Sequence, residues 1–183
     1  MKVLSFSERN VLVKKIEFIL FFTLLMIISS YLRIPLFFTP VPLTLQTLVL
    51  FLSLIFLKNK AFFSQLLYIF LGIIGLPVFG KAGAGLFYIF GPTAGYLFGF
   101  LFVALVFPRF LKYNNSNFFK YFLFFSFANL IIYSFGILWL INFYKVNFIT
   151  SLFLGVFPFL IGDFIKILFA SFLVEKFFKK YLC

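Results

Sequence analysis

The chain contains no histidine, and its single cysteine, Cys183, is the last residue. It has only four acidic residues. Without imidazole there is no histidine metal site and no histidine-based acid–base catalysis. One cysteine excludes an internal disulfide and a thiolate metal cluster. Four carboxylates leave little for paired-carboxylate chemistry. Charged residues of both signs make up 11% of the 183 positions, against about 25% in an ordinary soluble domain. What fills the chain instead is apolar: 64% is hydrophobic, and Phe alone occurs 36 times. So small a body cannot hide that much apolar surface from water. Lipid is the solvent this composition requires. The length suffices for one domain, 1–183, and no break in composition marks a second.

A membrane-crossing helix needs ~20 apolar residues. Six runs are candidates, the second of them short: about Lys15 to Leu32, Leu43 to Leu57, Ala61 to Leu76, Gly91 to Leu111, Phe118 to Ile141 and Pro158 to Lys179. The first is expected to be a retained helix rather than a cleaved signal, because no small-x-small site follows it. Pro158 sets the start of the last run, since Pro is favoured in the first turn of a helix and disfavoured inside one. Residues Asn147 to Val156 are expected to form a short helix at the interface or a re-entrant piece. The net charge of +12 reads as a topology signal, not as a nucleic-acid surface. Lys2, Arg9, Lys14, Lys15, Lys58, Lys60, Arg109, Lys112, Lys120, Lys176, Lys179 and Lys180 fall on one side, and only Arg33, Lys81 and Lys145 on the other. The chain is thus expected to be all-α, a polytopic integral membrane protein with six transmembrane helices in the cytoplasmic membrane. Both termini are expected to be cytoplasmic, as a short segment 1–14 and a tail 176–183.

Three stretches are not plain apolar helix. In Phe38-Thr39-Pro40-Val41-Pro42-Leu43-Thr44-Leu45-Gln46-Thr47, two prolines restrict the backbone ahead of the second helix. Thr39 or Thr44 serves as a helix cap or as a site group. Gln46 serves as interhelical glue or as a ligand contact, because its amide has donors and an acceptor to satisfy. The second stretch, Gly72 to Gly99, holds eight of the eleven glycines. Gly91, Gly95 and Gly99 form a smooth stripe for close helix packing. In the loop Pro77 to Phe90, Gly80, Gly83 and Gly85 permit tight turns, while Phe79, Phe87 and Tyr88 carry rings. With Lys81 among them, these residues suit a lid over a ligand or a plain connector. Gly83-Ala84-Gly85 lacks the spacing of a dinucleotide fingerprint, and no Walker motif follows.

The third stretch is Gly155-Val156-Phe157-Pro158-Phe159-Leu160-Ile161-Gly162-Asp163-Phe164-Ile165-Lys166. Asp163 and Lys166, three apart, share a helical face. With a helix starting at Pro158, Asp163 lies ~7–8 Å below its outer end. Intramembrane charges face protein or water rather than lipid. The pair is either a buried ion pair or a site offering both polarities. Tyr133, and less so Asn129, one turn apart on the fifth helix, can line the same cavity.

These motifs resemble the BioY family, the biotin-specific substrate-binding components of energy-coupling-factor (ECF) vitamin transporters. The resemblance is carried by Thr39 to Thr47, by Tyr68 with Gly72-Ile73-Ile74-Gly75-Leu76-Pro77-Val78-Phe79, by Gly91-Pro92-Thr93-Ala94-Gly95-Tyr96-Leu97-Phe98-Gly99-Phe100, and by Gly155 to Lys166. It covers about residues 15–175. It implies an S-component-like bundle of six transmembrane helices and a biotin pocket near the outer face. It also implies a separate transmembrane coupling subunit and two ATPases as partners. The family's Gly-Asp-x-x-Lys motif corresponds to Asp163 and Lys166, with Asp163 expected on the ureido ring and Lys166 on the valerate carboxylate. Thr44, Gln46, Phe79, Tyr88, Thr93 and Tyr133 complete the expected site. One departure stands out. The small Ala-x-x-x-Ala face of the first helix is absent, no Ala occurs before Ala61, and Phe22, Met26 and Ser30 share a face instead.

The chain is therefore expected to bind biotin for uptake, without enzymatic activity, cofactor or metal. The alternatives are a solitary biotin facilitator or a component for another small carboxylated vitamin. A membrane enzyme or scaffold fits the residues less well, lacking a second carboxylate in the first case and a use for Asp163 and Lys166 in the second.

Overall fold

The structure is a computed structural model, describing residues 6–111 and 117–182. Lys2, Lys112 and Cys183 lie outside the described residues. The fold is mostly helical. Helix α1 (Phe6–Tyr31) already begins within the N-terminal segment 1–14, nine residues ahead of the expected Lys15. It is followed by two short strands, β1 (Arg33–Ile34) and β2 (Leu43–Thr44), which pair antiparallel with Arg33 opposite Thr44. This pairing moves the second helix inward. Leu43 and Thr44 belong to the ladder, and α2 runs from Gln46 to Phe56.

Helix α3 (Ala61–Ile73) stops short of Leu76 because Gly75 turns left-handed at φ +99°. A short helix α4 (Leu86–Ile89) sits inside the Pro77–Phe90 loop. Helix α5 (Ala94–Val106) starts after Gly91, which lies in a turn rather than on the helix. A 3₁₀ turn, Phe107–Arg109, continues it. Helix α6 (Phe118–Tyr144) is capped by Asn117, whose side chain accepts from Phe119 N at 2.9 Å. Helix α7 (Phe148–Gly155) is the expected short piece, capped by Asn147, which accepts from Thr150 N at 2.8 Å. Pro158 then sits in a 3₁₀ turn, Phe157–Phe159, that leads into α8 (Leu160–Leu182).

Among the described residues, two helical stretches are long and apolar enough to cross a membrane by length and composition: Phe118–Tyr144 and Phe148–Lys179. Helices α2, α3 and α5 have 11, 13 and 13 residues, or roughly 16–20 Å at 1.5 Å per residue. They are shorter than the runs expected from hydropathy, because turns and the β ladder take up their ends.

The surface carries large apolar side chains on every long helix, including Phe21, Phe63, Phe102, Phe127 and Phe169, each at least 41% exposed. That much exposed apolar area belongs against lipid or another protein. The interior is aromatic as well. Phe51 stacks on Phe125 at 5.0 Å, and Tyr121 on Phe178 at 5.8 Å. The glycine stripe works as a packing surface at two of its three positions. A Cβ on Gly95 would lie 2.4 Å from Phe135 O, and one on Gly99 3.1 Å from the Ile132 Cα. Helices α5 and α6 therefore pack backbone to backbone. Phe22, Met26 and Ser30 are at most 4% exposed, so that face of α1 serves the chain's own core.

Candidate ligand-binding site

Helices α2, α6 and α8 converge on Asp163. Its first-turn position on α8, set by the turn at Pro158, points it inward at 4% exposure, with Lys166 one turn on at 7%. Lys166 Nζ donates to Asp163 Oδ1 at 2.7 Å. The Thr47 hydroxyl donates to the same oxygen at 3.1 Å and accepts from Lys166 Nζ at 3.1 Å. Tyr133 OH donates to Oδ2 at 2.6 Å. A buried ion pair is stable only when its remaining lone pairs and protons are satisfied, and Thr47 and Tyr133 do this. An ammonium has three protons and a carboxylate about four acceptor sites. The cluster thus keeps one donor on Lys166 and spare acceptor capacity on Asp163.

A cavity opens beside this cluster, with about 680 Å³ of space free of atoms, part of it solvent. Its wall includes all eight residues expected to contact ligand: Thr44, Gln46, Phe79, Tyr88, Thr93, Tyr133, Asp163 and Lys166. Gln46 is held in place by two bonds. Its Nε2 donates to Tyr68 OH at 2.9 Å, and its Oε1 accepts from Thr44 OH at 3.3 Å. The Thr44 hydroxyl accepts from Gln46 N, the first amide of α2, at 3.4 Å, although it stands one residue before the cap position. Leu45 occupies that position and makes no side-chain cap bond. Thr39 is occupied elsewhere, donating to Leu154 O and accepting from Val41 N at 3.2 Å.

Phe79, Gly80 and Tyr88 of the Pro77–Phe90 loop line the cavity, and the loop has internal order. Phe79 and Gly83 exchange both backbone hydrogen bonds at 3.1 Å. Gly85 N donates to Gly72 O at 2.7 Å. Phe79 is buried, stacked on Tyr88 at 4.8 Å and edge-on to Tyr68 at 5.3 Å. Of the four expected lid residues, only Gly80 lines the cavity. Lys81 is exposed at φ +64°, and Gly83 and Gly85 shape the turn behind it. Gly72 has to be glycine for this loop to close, since a Cβ there would fall 2.0 Å from the Phe79 ring. Burial pushes the Tyr88 phenol up, and the Arg33 guanidinium opposes part of that shift.

No group of three or more His, Cys, Asp or Glu side chains suited to a metal occurs among the described residues. The site is a cavity walled by rings with a few convergent polar groups, the general form of a small-molecule site.

The sequence profile of the BioY family matches residues 2–182. The chain belongs to the BioY family. It is 37% identical over 152 residues to the biotin transporter BioY of Thermotoga maritima, covering 82% of this chain and 87% of that one. It is 36% identical over 141 residues to the probable biotin transporter BioY of Pyrococcus horikoshii, covering 75% and 80%. Its fold matches a crystal structure of an S-component for biotin from an ECF-type ABC transporter. The TM-score is 0.86 at 28% identity, over 97% of this chain and 95% of that one. The family is one of transporters, not enzymes.

Within this BioY fold, several cavity residues escaped the sequence reading as site groups: Thr47, Tyr68, Tyr96, Phe100 and Phe159. All five lie inside the family motifs, so position along the chain was available as a signal. What was missing was orientation. Tyr96 OH, for example, donates to Gly155 O at 2.6 Å and ties α5 to the end of α7. Asn129, the weaker candidate on α6, is buried but does not line the cavity.

Proposed function

We propose that this chain is the biotin-binding, substrate-specific component of an uptake transporter. The observation that carries the reading is the buried Asp163–Lys166–Thr47–Tyr133 cluster on the wall of a ring-lined cavity in a BioY-family chain. Biotin's ureido group has one carbonyl acceptor flanked by two N–H donors. The spare Lys166 proton matches the carbonyl, and an Asp163 oxygen matches an N–H. Lys166 Nζ lies 2.7 Å from Asp163 Oδ1, so one end of an elongated ligand meets both. This replaces the division expected from sequence, in which Asp163 took the ring and Lys166 the tail. The valerate carboxylate falls to Thr44, Gln46 and Thr93, with Arg33, beside Gly80, and Lys81 adding positive potential at the mouth. The stacked Phe79–Tyr88 pair walls the apolar body on one side, and the loop bearing Gly80, Lys81, Gly83 and Gly85 is the lid.

The bundle crosses the cytoplasmic membrane six times, through α1, α2, α3, α5, α6 and α8, as one transmembrane domain, 1–183. Its N-terminal segment 1–14 and tail 176–183 are cytoplasmic. The exposed apolar girdle and the bias of basic residues to one side support this topology. A transmembrane coupling subunit and two ATPases energise release to the inside, in the manner of an ECF transporter.

The test is biotin binding by the purified, solubilised protein beside Asp163→Asn and Lys166→Ala. Each variant is expected to lose ~1.5–3 kcal/mol or more, the scale of a hydrogen bond to a charged group. Wild-type affinity in both folded variants discards the site, and no binding by the folded wild type discards biotin.

A further inference from the structure

The end of the bundle away from Asp163 carries a second and more open pocket. Ser30 of α1 lines the first cavity and Lys14 of the same helix lines the second, which separates them by about 24 Å along the axis. Five cationic side chains converge there: Lys14, Lys15, Lys58, Lys60 and Arg109. Among the described residues, none of Glu17, Asp163 and Glu175 lines it. Three separate segments supply the cations, α1, the turn before α3 and the turn after α5, so the convergence is a product of the fold rather than of a basic run in sequence.

Like charges are brought close at a cost. The Lys60 ammonium is pushed down by burial and by the Lys15 ammonium beside it. Lys58 sits at φ +55°, a left-handed conformation unfavourable for a side-chain-bearing residue. Lys60 precedes the first turn of α3, which has no acidic residue and no side-chain cap. Helix polarity therefore adds to the positive field instead of offsetting it. An anion resting between these groups relieves the like-charge repulsion and the uncompensated helix end.

The pocket is also partly apolar. Phe18 and Phe56 line it at 53% and 36% exposure, and Phe18 continues into the apolar face of α1 through Phe21 and Leu24. A free phosphate makes use of the cations alone. A phospholipid makes use of both parts, with its phosphate among the cations and its chains along the rings.

We propose that this basic pocket seats the phosphate headgroup of an anionic phospholipid, with the acyl chains lying against Phe18 and Phe56. The lipid thereby pins α1 to the two turns that follow α2 and α5.

The experiment is native mass spectrometry of the full-length protein, delipidated and titrated with phosphatidylglycerol, phosphatidylcholine or inorganic phosphate. The wild type is compared with Lys15→Gln/Lys60→Gln and with Arg109→Gln. At ~1 kcal/mol per basic residue near an anionic headgroup, the double variant is expected to lose phosphatidylglycerol retention on the order of tenfold or more, and Arg109→Gln about fivefold. Phosphatidylcholine is expected to bind the wild type and the variants alike, and millimolar phosphate to leave bound phosphatidylglycerol in place. Thermal unfolding reports whether each variant is folded, and Arg109→Gln carries the test if the double variant is not. Equal retention of the two lipids by the wild type, or unchanged retention by folded variants, overturns the proposal. Displacement by inorganic phosphate makes the pocket a free-anion site and also overturns it. So do variants that keep the lipid but no longer co-purify with other transporter subunits, which makes the pocket a protein-docking surface.

Discussion

Lys166 Nζ sits 2.7 Å from Asp163 Oδ1, and the Thr47 hydroxyl bridges the two from a different helix at 3.1 Å to each. The ion pair within α8 is therefore also the joint between α8 and α2. One cluster holds the bundle together and presents its remaining donor and acceptor capacity to the cavity.

Breaking half of this pair is expected to be worse than removing all of it. Asp163→Asn or Lys166→Met alone leaves a buried charge without its partner and should cost about 3–5 kcal/mol of stability. The double variant Asp163→Asn/Lys166→Met should recover much of that loss while still failing to bind biotin. Thermal unfolding and biotin titration of the three proteins test this. A double variant no more stable than either single one contradicts it.

Tyr133→Phe removes the hydrogen bond that α6 makes to Asp163 Oδ2 and leaves the ring in place. The expected loss is about 1.5–3 kcal/mol of stability, as for a hydrogen bond to a charged group. Biotin affinity should fall less than in Asp163→Asn, because the carboxylate itself remains. Equal affinity losses in the two variants would show that Tyr133 contacts the ligand directly.

Gly72→Ala is expected to act on the lid. Its methyl group would meet the Phe79 ring at 2.0 Å, and the ring, stacked on Tyr88, cannot retreat without opening the loop. Dissociation of biotin should accelerate while the helical content stays constant. Stopped-flow displacement of labelled biotin measures this, and an unchanged off-rate would remove Phe79 from the closure.

Tyr88→Ala deletes one face of the stacked pair with Phe79, worth about 0.5–1.5 kcal/mol beyond the area it buries. Tyr88→Phe keeps the stack and loses only a long 3.3 Å bond to Gly80 O. Biotin should therefore leave faster from Tyr88→Ala and at nearly the wild-type rate from Tyr88→Phe. Identical rates in both variants would assign the role to the hydroxyl instead.

Gly95→Ala at the α5–α6 contact sets its methyl 2.4 Å from the Phe135 carbonyl oxygen, a backbone atom that cannot turn aside. A loss of about 1–3 kcal/mol is expected from overpacking. Gly75→Ala, where no atom lies within 4 Å, suffers only from its left-handed φ, costing roughly 1 kcal/mol. Comparative melting of the two variants checks the ordering.

By itself, the sequence determined the solvent, the helical class and the family. The apolar runs are long, and lipid leaves the backbone few alternatives to the helix. The Gly-Asp-x-x-Lys spacing placed Asp163 and Lys166 on one face before any coordinates. Periodicity along one helix carries that much, because the contact is local. Tertiary structure alone decided that Gln46, not Leu43, begins α2, since the pairing of Thr44 with Arg33 depends on two segments ten residues apart meeting. It also decided that Thr47 and Tyr133, from two other helices, complete the carboxylate's hydrogen bonds. Likewise the cations at Lys15, Lys60 and Arg109, counted in sequence as scattered topology signals, meet only when three segments pack at one end. Local preferences write the helices into the chain. The chemistry of a site sits between helices, where no single stretch of sequence specifies the distances.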